Sequence, residues 1–172
     1  MPAELDPGDD LFFDGSVRGT MTANVAAAVG EDLRYVRVRQ GEDVFWLGKG
    51  TLKQALRGPF QLLDEVAGAE LAGWRYAGPF DELPAVAGAF EEAGYEHRVV
   101  TWDQVGEEEG TGIVHIAPGC GAEDFALGKQ LRLPMIAPLD ESGIFIDGFD
   151  ALTGRDVRDV TIAMTNGSTL AY

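Results

Sequence analysis

From Arg34 to Arg39 the chain alternates, with Val36 and Val38 on one face and Arg37 and Arg39 on the other. Alternation of period two predicts a half-buried strand. Gln40-Gly41-Glu42-Asp43 supplies a turn and Val44-Phe45-Trp46-Leu47 a return, so the pair predicts a β-hairpin with a loop of about four residues. Leu11-Phe12-Phe13 predicts a short strand before an Asp14-Gly15 turn, after an acidic, loose lead-in over residues 1–10. Asn24 to Val29 is apolar and Ala-rich, and its six residues are too few to separate helix from strand by period.

Further along, Thr51 to Arg57 predicts a helix capped by Thr51 and stopped by Gly58-Pro59. Phe60 to Val66 predicts a strand, and the Gly- and Pro-rich residues 68–84 a surface loop. Val86 to Ala93 predicts a short amphipathic helix closed by Gly94. Tyr95 to Trp102 follows as a strand with Val99 and Val100 inward, then Glu107-Glu108-Glu109-Gly110 as an acidic turn. Thr111 to Ile116 predicts a strong strand ended by Ala117-Pro118-Gly119, and Ala122 to Leu131 a helix before Pro134. Ile136, Leu139, Ile144 and Ile146 are expected on later strands. Many short strands with three short helices do not make the regular alternation of a doubly wound sheet, and favour a barrel or sandwich.

Composition narrows the function classes. The 172 residues suit one domain, and 45% apolar with 24% charged residues is ordinary for a folded chain. With 29 acids against 13 bases the net charge is −16, which repels a phosphate backbone. Contact with nucleic acid is therefore expected at one end of it only. The single cysteine, Cys120, excludes an internal disulfide and a multi-Cys zinc site, and two histidines, His97 and His115, make a His-rich metal site unexpected. No cofactor and no metal are expected. The N-terminus has no apolar signal-peptide core and no apolar run reaches the ~20 residues that span a bilayer, so a cytoplasmic protein without membrane contact is expected.

Residues 110–125, Gly-Thr-Gly-Ile-Val-His-Ile-Ala-Pro-Gly-Cys-Gly-Ala-Glu-Asp-Phe, concentrate the candidate chemistry. A strand delivers His115 near its end, a Gly-bounded loop lets backbone approach a ligand, and a helix opens with two acids. Each has a structural explanation as well. His115 suits a satisfied core histidine, Asp124 suits a first helical turn with unpaired N–H groups, and Cys120 suits a small apolar filler. A Cys120–His115 nucleophile pair, giving a thiol hydrolase, is a further reading.

The same block resembles the editing (CP1 insertion) domain of isoleucyl-tRNA synthetase, of the family shared with the valyl and leucyl enzymes. That family's signature is a Gly-Thr-Gly-Ile-Val-His strand, Ala-Pro, a Gly-containing loop and a Glu-Asp pair. Asn24 to Val29 resembles the stretch after the family's threonine-rich peptide, Ala69 to Tyr76 its L-x-G-x-x-Y loop, and Leu139 to Phe145 its later V-D-x-x-G-x-F turn. The likeness runs over residues 11–158, leaving 159–172 as an extension or tail.

The resemblance implies a mainly β fold, a β-barrel core with a few short flanking helices. It implies hydrolysis of the ester that joins a wrong amino acid, chiefly valine, to the 3′-terminal adenosine of isoleucine tRNA. The isoleucyl enzyme is itself the standard illustration of the double sieve, in which a second, smaller pocket admits valine and rejects isoleucine. Asp124 matches the acid that binds the substrate's α-ammonium, His115 the strand histidine beside the pocket, and Asn24 the asparagine that helps hold the adenosine. Ala117, Pro118, Gly119, Cys120 and Gly121 match a wall of the pocket, and no metal is implied. The implied partners are the 3′-terminal adenosine and aminoacyl group of tRNA and the remainder of a synthetase, with a monomer expected.

The likeness is weakest over 15–23. The family reads Thr-Thr-Thr-Pro-Trp-Thr-Leu-Pro there, and this chain reads Gly15-Ser16-Val17-Arg18-Gly19-Thr20-Met21-Thr22-Ala23. Ser16 keeps one hydroxyl of the triplet and Thr20 matches the later threonine. Val17 stands where a water-orienting threonine is expected, and Gly19 where a pocket tryptophan is. Neither "HIGH" nor "KMSKS" occurs, so the chain is not expected to activate an amino acid. The expected function is post-transfer editing with His115, Asp124 and Thr20 as catalytic residues and Ser16 among the substrate contacts. The alternative is a non-catalytic aminoacyl-end binding module of the same fold, an isolated, engineered or decayed copy.

Overall fold

The computed structural model describes residues 5–6, 8–11, 20–78, 80–108 and 110–160, with the backbone alone of 163–165 and 169–171. The sequence expectations on Phe12-Phe13, Asp14-Gly15, Ser16 and Glu109 lie outside these residues.

Strands β1 (Asp9–Leu11), β3 (Arg34–Gln40), β4 (Asp43–Gly48) and β5 (Gln61–Ala67) form one sheet in the order β1-β4-β3-β5. The hairpin is present, with Gln40 opposite Asp43 and Val36 opposite Leu47. Its two faces serve different layers. Val36, Val38, Phe45 and Leu47 pack with Leu56 beneath the one-turn helix α1 (Leu52–Ala55), while Tyr35 and Trp46 face the main core. The strand expected to be half-buried is thus covered on both sides at Tyr35 and Val36. Of the lead-in, the described residues Asp6 and Asp9 are tied to this sheet. Arg37 Nε and Nη2 meet Asp9 and Asp6 at 2.7 and 2.9 Å, which offsets the acids and lets β1 run parallel to β4.

The second sheet has the order β6-β2-β7, with β2 (Ala26–Val29) parallel to β6 (Arg98–Thr101) and antiparallel to β7 (Val114–Ile116). Asn24–Val29 is therefore resolved as a strand from Ala26. It sits in the middle of its sheet with every residue buried, which explains an apolar run with no period. Helices α2 (Gly68–Leu71), α3 (Pro84–Ala93) and α4 (Ala122–Leu131) flank the sheets. Gly94 closes α3 in the left-handed region, as expected.

Four expectations need correction. No ladder among the described residues joins the two sheets, so the closed barrel is not present in them. The loop over 68–84 contains α2, held by Glu70 Oε1 accepting from Ala67 N at 2.9 Å. The strand expected from Thr111 starts at Val114, because Gly112 takes φ 75° and turns the chain. Ile136, Leu139, Ile144 and Ile146 lie on irregular chain with only the isolated bridges Leu139 to Phe145 and Ile144 to Asp156. The C-terminal extension contains an antiparallel pair, β8 (Ala163–Thr165) and β9 (Thr169–Ala171).

Candidate functional site

Antiparallel pairing sets His115 opposite Ala27, and Val25 N donates to Ile116 O at 2.9 Å just before β2. That register brings Asn24 beside the imidazole. Asn24 is 2% exposed, and its Nδ2 donates to Ala26 O and to His115 Nδ1, both at 3.0 Å. Its Oδ1 accepts from Tyr76 Oη at 2.8 Å. A backbone carbonyl can only accept, so the Ala26 contact fixes which end of the carboxamide is nitrogen. The neighbouring His115 Nδ1 must then accept, and the ring proton sits on Nε2. Burial pushes the His115 pKa down to about 4, in keeping with a neutral ring. The asparagine matched to the adenosine end thus spends both Nδ2 hydrogens inside the protein.

Asp124 is the third residue of α4, in the turn whose N–H groups lack helical partners. Its Oδ2 accepts from Ala117 N at 2.8 Å. The bond ties the helix start to the residue two beyond His115, so histidine and carboxylate are brought to one corner of the fold. No direct bond between them occurs among the described residues. Burial, with the charge of Glu123, holds the Asp124 carboxyl above its usual range despite the Ala117 hydrogen bond. A half-buried carboxylate raised in this way is under-solvated, and a cation would relieve it.

The loop between them is set by close approaches. Cys120 N donates to Ala117 O at 2.9 Å, making a turn. A Cβ on Gly119 would fall 1.9 Å from Ile136 O, so only glycine lets that strand of chain pass. Ala117 and Pro118 are buried, while Cys120 and Gly121 are exposed. Crowding about the Cys120 sulfur and the nearby Asp124 charge push its thiol up to about 11. The further reading, Cys120 paired with His115 as a nucleophile, finds no support in a thiol so poorly ionised.

Thr20 opens the 3-10 turn Thr20–Ala23 that leads into Asn24, with Asn24 N donating to Met21 O at 3.1 Å. Its Oγ1 is buried without a hydrogen-bond partner among the described residues. Ser16 lies outside them. Sequence reasoning missed Tyr76 as a site residue, although the L-x-G-x-x-Y stretch contained it. It also missed the polar chain from Tyr76 through Asn24 to His115. A cleft of about 330 Å³ lined by Glu31, Asp32, Trp102 and Asp103 opens at the other end of β2 and shares no residue with this corner. Among the described residues no group of acids, histidines or cysteines could hold a metal ion, and no helix is long and apolar enough to cross a membrane.

Comparison with known proteins bears on this corner. No family model matches the chain. It is 38% identical over 141 residues to an isoleucine–tRNA ligase of Methanothermobacter thermautotrophicus and 40% identical over 142 residues to isoleucine–tRNA ligase 2 of Pseudomonas fluorescens. It is 36% identical over 155 residues to the isoleucine–tRNA ligase of Pyrococcus furiosus. These matches take in 81%, 83% and 86% of this chain, but the chain spans only 13–14% of the length of the relatives. Among solved structures it is similar to GlLeuRS-CP1, with a TM-score of 0.57 and 20% identity over 72% of this chain and 45% of that one. It is also similar to the P. knowlesi cytosolic leucyl-tRNA synthetase editing domain, with a TM-score of 0.53 and 14% identity over 72% and 51% of the two chains.

Proposed function

The chain is homologous to the editing domain of isoleucyl-tRNA synthetases, and from that premise we propose that it deacylates mischarged isoleucine tRNA. The substrate is the valyl ester on the 3′-terminal adenosine, and the partner is the tRNA end presented by the rest of a synthetase. A net charge of −16 suits a monomeric domain that meets only the terminal nucleotides in the cytoplasm.

The observation that carries this reading is the under-solvated Asp124 carboxylate held two residues along from His115 through Ala117 N. Asp124 takes the α-ammonium of the aminoacyl group by a charge-assisted hydrogen bond. His115, neutral and with its proton on Nε2, acts as a hydrogen-bond donor rather than a general base, since a group titrating near 4 takes up few protons at neutral pH. Its Nε2–H holds the ester carbonyl or a ribose hydroxyl. Water bonds to the carbonyl carbon, the bond to the ribose oxygen breaks, and that oxygen leaves with a proton as the adenosine hydroxyl. Positioning supplies much of the rate, because an aminoacyl ester is already activated by its own ammonium. Thr20 Oγ1, buried without a partner among the described residues, is the hydroxyl available to orient water. The loop Ala117–Gly121 walls the side-chain pocket, and Asn24 acts on the site through His115.

The test is loss of valine from valyl-tRNA made on isoleucine tRNA, beside the isoleucyl product. Faster loss of valine is expected. Equal, negligible loss of both at high protein concentration overturns the hydrolase. The replacement of the threonine-rich peptide by Gly15–Ala23 favours the second reading, a binding module. A non-hydrolysable valyl-adenosine analogue that binds while the ester survives would establish it.

A further inference from the structure

We propose that Tyr76 is a positioning residue for His115, acting through Asn24, and that buried His97, bonded to the part-exposed Asp81, is the clamp that holds the Tyr76 ring. The inference rests on the editing reading of the His115 corner and adds to it a layer of residues that never touch substrate.

The connections are continuous. Tyr76 Oη donates to Asn24 Oδ1 at 2.8 Å, and Asn24 Nδ2 donates to His115 Nδ1 at 3.0 Å. The Tyr76 ring lies 4.8 Å from the His97 ring at 35°, and Tyr76 N donates to His97 O at 3.3 Å. His97 is 3% exposed and meets Phe90 edge-on at 4.6 Å on another side. Its Nε2 donates to Asp81 Oδ1 at 2.6 Å, and Asp81 Oδ2 accepts from Gly78 N at 2.7 Å. A Cβ on Gly78 would fall 2.1 Å from His97 Nε2 and 2.5 Å from Asp81 Oδ1. Gly78 therefore has no side chain because the pair occupies that space. Asp81, part-exposed, ties the His97 ring to the turn at Gly78 and so fixes that ring against Tyr76.

The Tyr76 hydroxyl acts on orientation. A carboxamide is nearly symmetric in shape, and only its partners decide which end is nitrogen. Ala26 O fixes which end is nitrogen, and the Tyr76 hydroxyl donates to the oxygen at the other end and holds the plane of the carboxamide. Without the hydroxyl the carboxamide can swing about its Ala26 bond and draw Nδ2 off His115 Nδ1, and a ring nitrogen freed of that donor can itself carry the proton. The proton then leaves Nε2, the atom that faces substrate in the editing reading.

The experiment uses the 172-residue chain and its Tyr76→Phe variant, which keeps the ring and removes the hydroxyl. Imidazole nitrogen NMR, run without substrate, should show His115 protonated on Nε2 in the native chain and on a mixture of Nε2 and Nδ1 in the variant. Deacylation of the valyl ester should lose about tenfold in kcat, the worth of one lost hydrogen bond, with KM within about twofold. Gly78→Ala, which wedges the clamp, should shift the His115 tautomer in the same sense. If the native ring carries its proton on Nδ1, or if Tyr76→Phe leaves both tautomer and kcat unchanged, the positioning role is wrong. Should the native chain fail to deacylate while Tyr76→Phe still shifts the tautomer, the positioning stands and the hydrolase falls.

Discussion

Asp124 has a structural task and, in the proposed editing reaction, a second one at the substrate ammonium, and two substitutions separate them. As a structural group its Oδ2 satisfies Ala117 N–H, which belongs to a residue only 1% exposed. Asp124→Ala leaves that donor unpaired in the interior, at about 1–3 kcal/mol. It also removes an acid from the first turn of α4, worth about 0.3–1 kcal/mol. Asp124→Asn keeps an oxygen for Ala117 N–H and removes only the charge. The native carboxyl has a folded pKa above its unfolded value, so the folded state holds the proton more tightly. That contribution to stability is present at low pH and is lost as pH rises through the folded pKa. At neutral pH the gain from removing an under-solvated charge and the loss of that charge at the helix start oppose each other, so Asp124→Asn should shift stability by less than about 1 kcal/mol. Function should respond far more strongly. Losing a charge-assisted bond to the substrate ammonium is worth about 1.5–3 kcal/mol, or about 10- to 150-fold in kcat/KM. Urea unfolding at neutral pH and deacylation of the valyl ester read the two effects. If Asp124→Asn deacylates within twofold of the native chain, the ammonium does not meet this carboxylate. If Asp124→Ala unfolds at the native urea midpoint, the Ala117 bond is not holding the loop.

His115 should make the fold acid-sensitive. Its folded pKa of about 4 lies below the unfolded value of 6.5, so the unfolded chain binds the proton first and stability falls from pH 6.5 to pH 4, by at most about 3 kcal/mol. His115→Gln should flatten that part of a stability–pH curve, and an unchanged slope would refute the assignment. Cys120→Ser should leave deacylation within about twofold and the native thiol should alkylate slowly at neutral pH, since a thiol near 11 is scarcely ionised. Activity lost on blocking Cys120 would revive the thiol mechanism. Gly119→Ala should cost at least about 2 kcal/mol in thermal or urea unfolding, because its Cβ collides with the Ile136 carbonyl.

The legible parts of the fold were those governed by local rules. Alternation at Arg34–Arg39 and the turn at Gly41 located the hairpin, and Ala122–Leu131 carried its own helical pattern and start signal. The partners of β2 were not legible. Ala26–Val29 pairs with strands some 70 and 90 residues away, and no local pattern encodes that choice. Of the site, His115 and Asp124 stood out through the Gly-bounded loop between them. Tyr76 and the internal role of Asn24 did not, because a carboxamide's partners depend on which distant strands are brought beside it. The strand pattern left barrel and sandwich open and the family resemblance implied the barrel, but neither says whether the last edge finds the first.

The Asn24–His115 hydrogen bond spans 91 positions of sequence. Bringing ends that far apart together costs roughly 2 kcal/mol more in chain entropy than closing a ten-residue loop. Contacts of such separation slow folding and are not rewarded until much of the chain has collapsed. The bond that holds the His115 ring in place is consequently made late, so refolding chains should regain secondary structure before Asn24 and His115 come together.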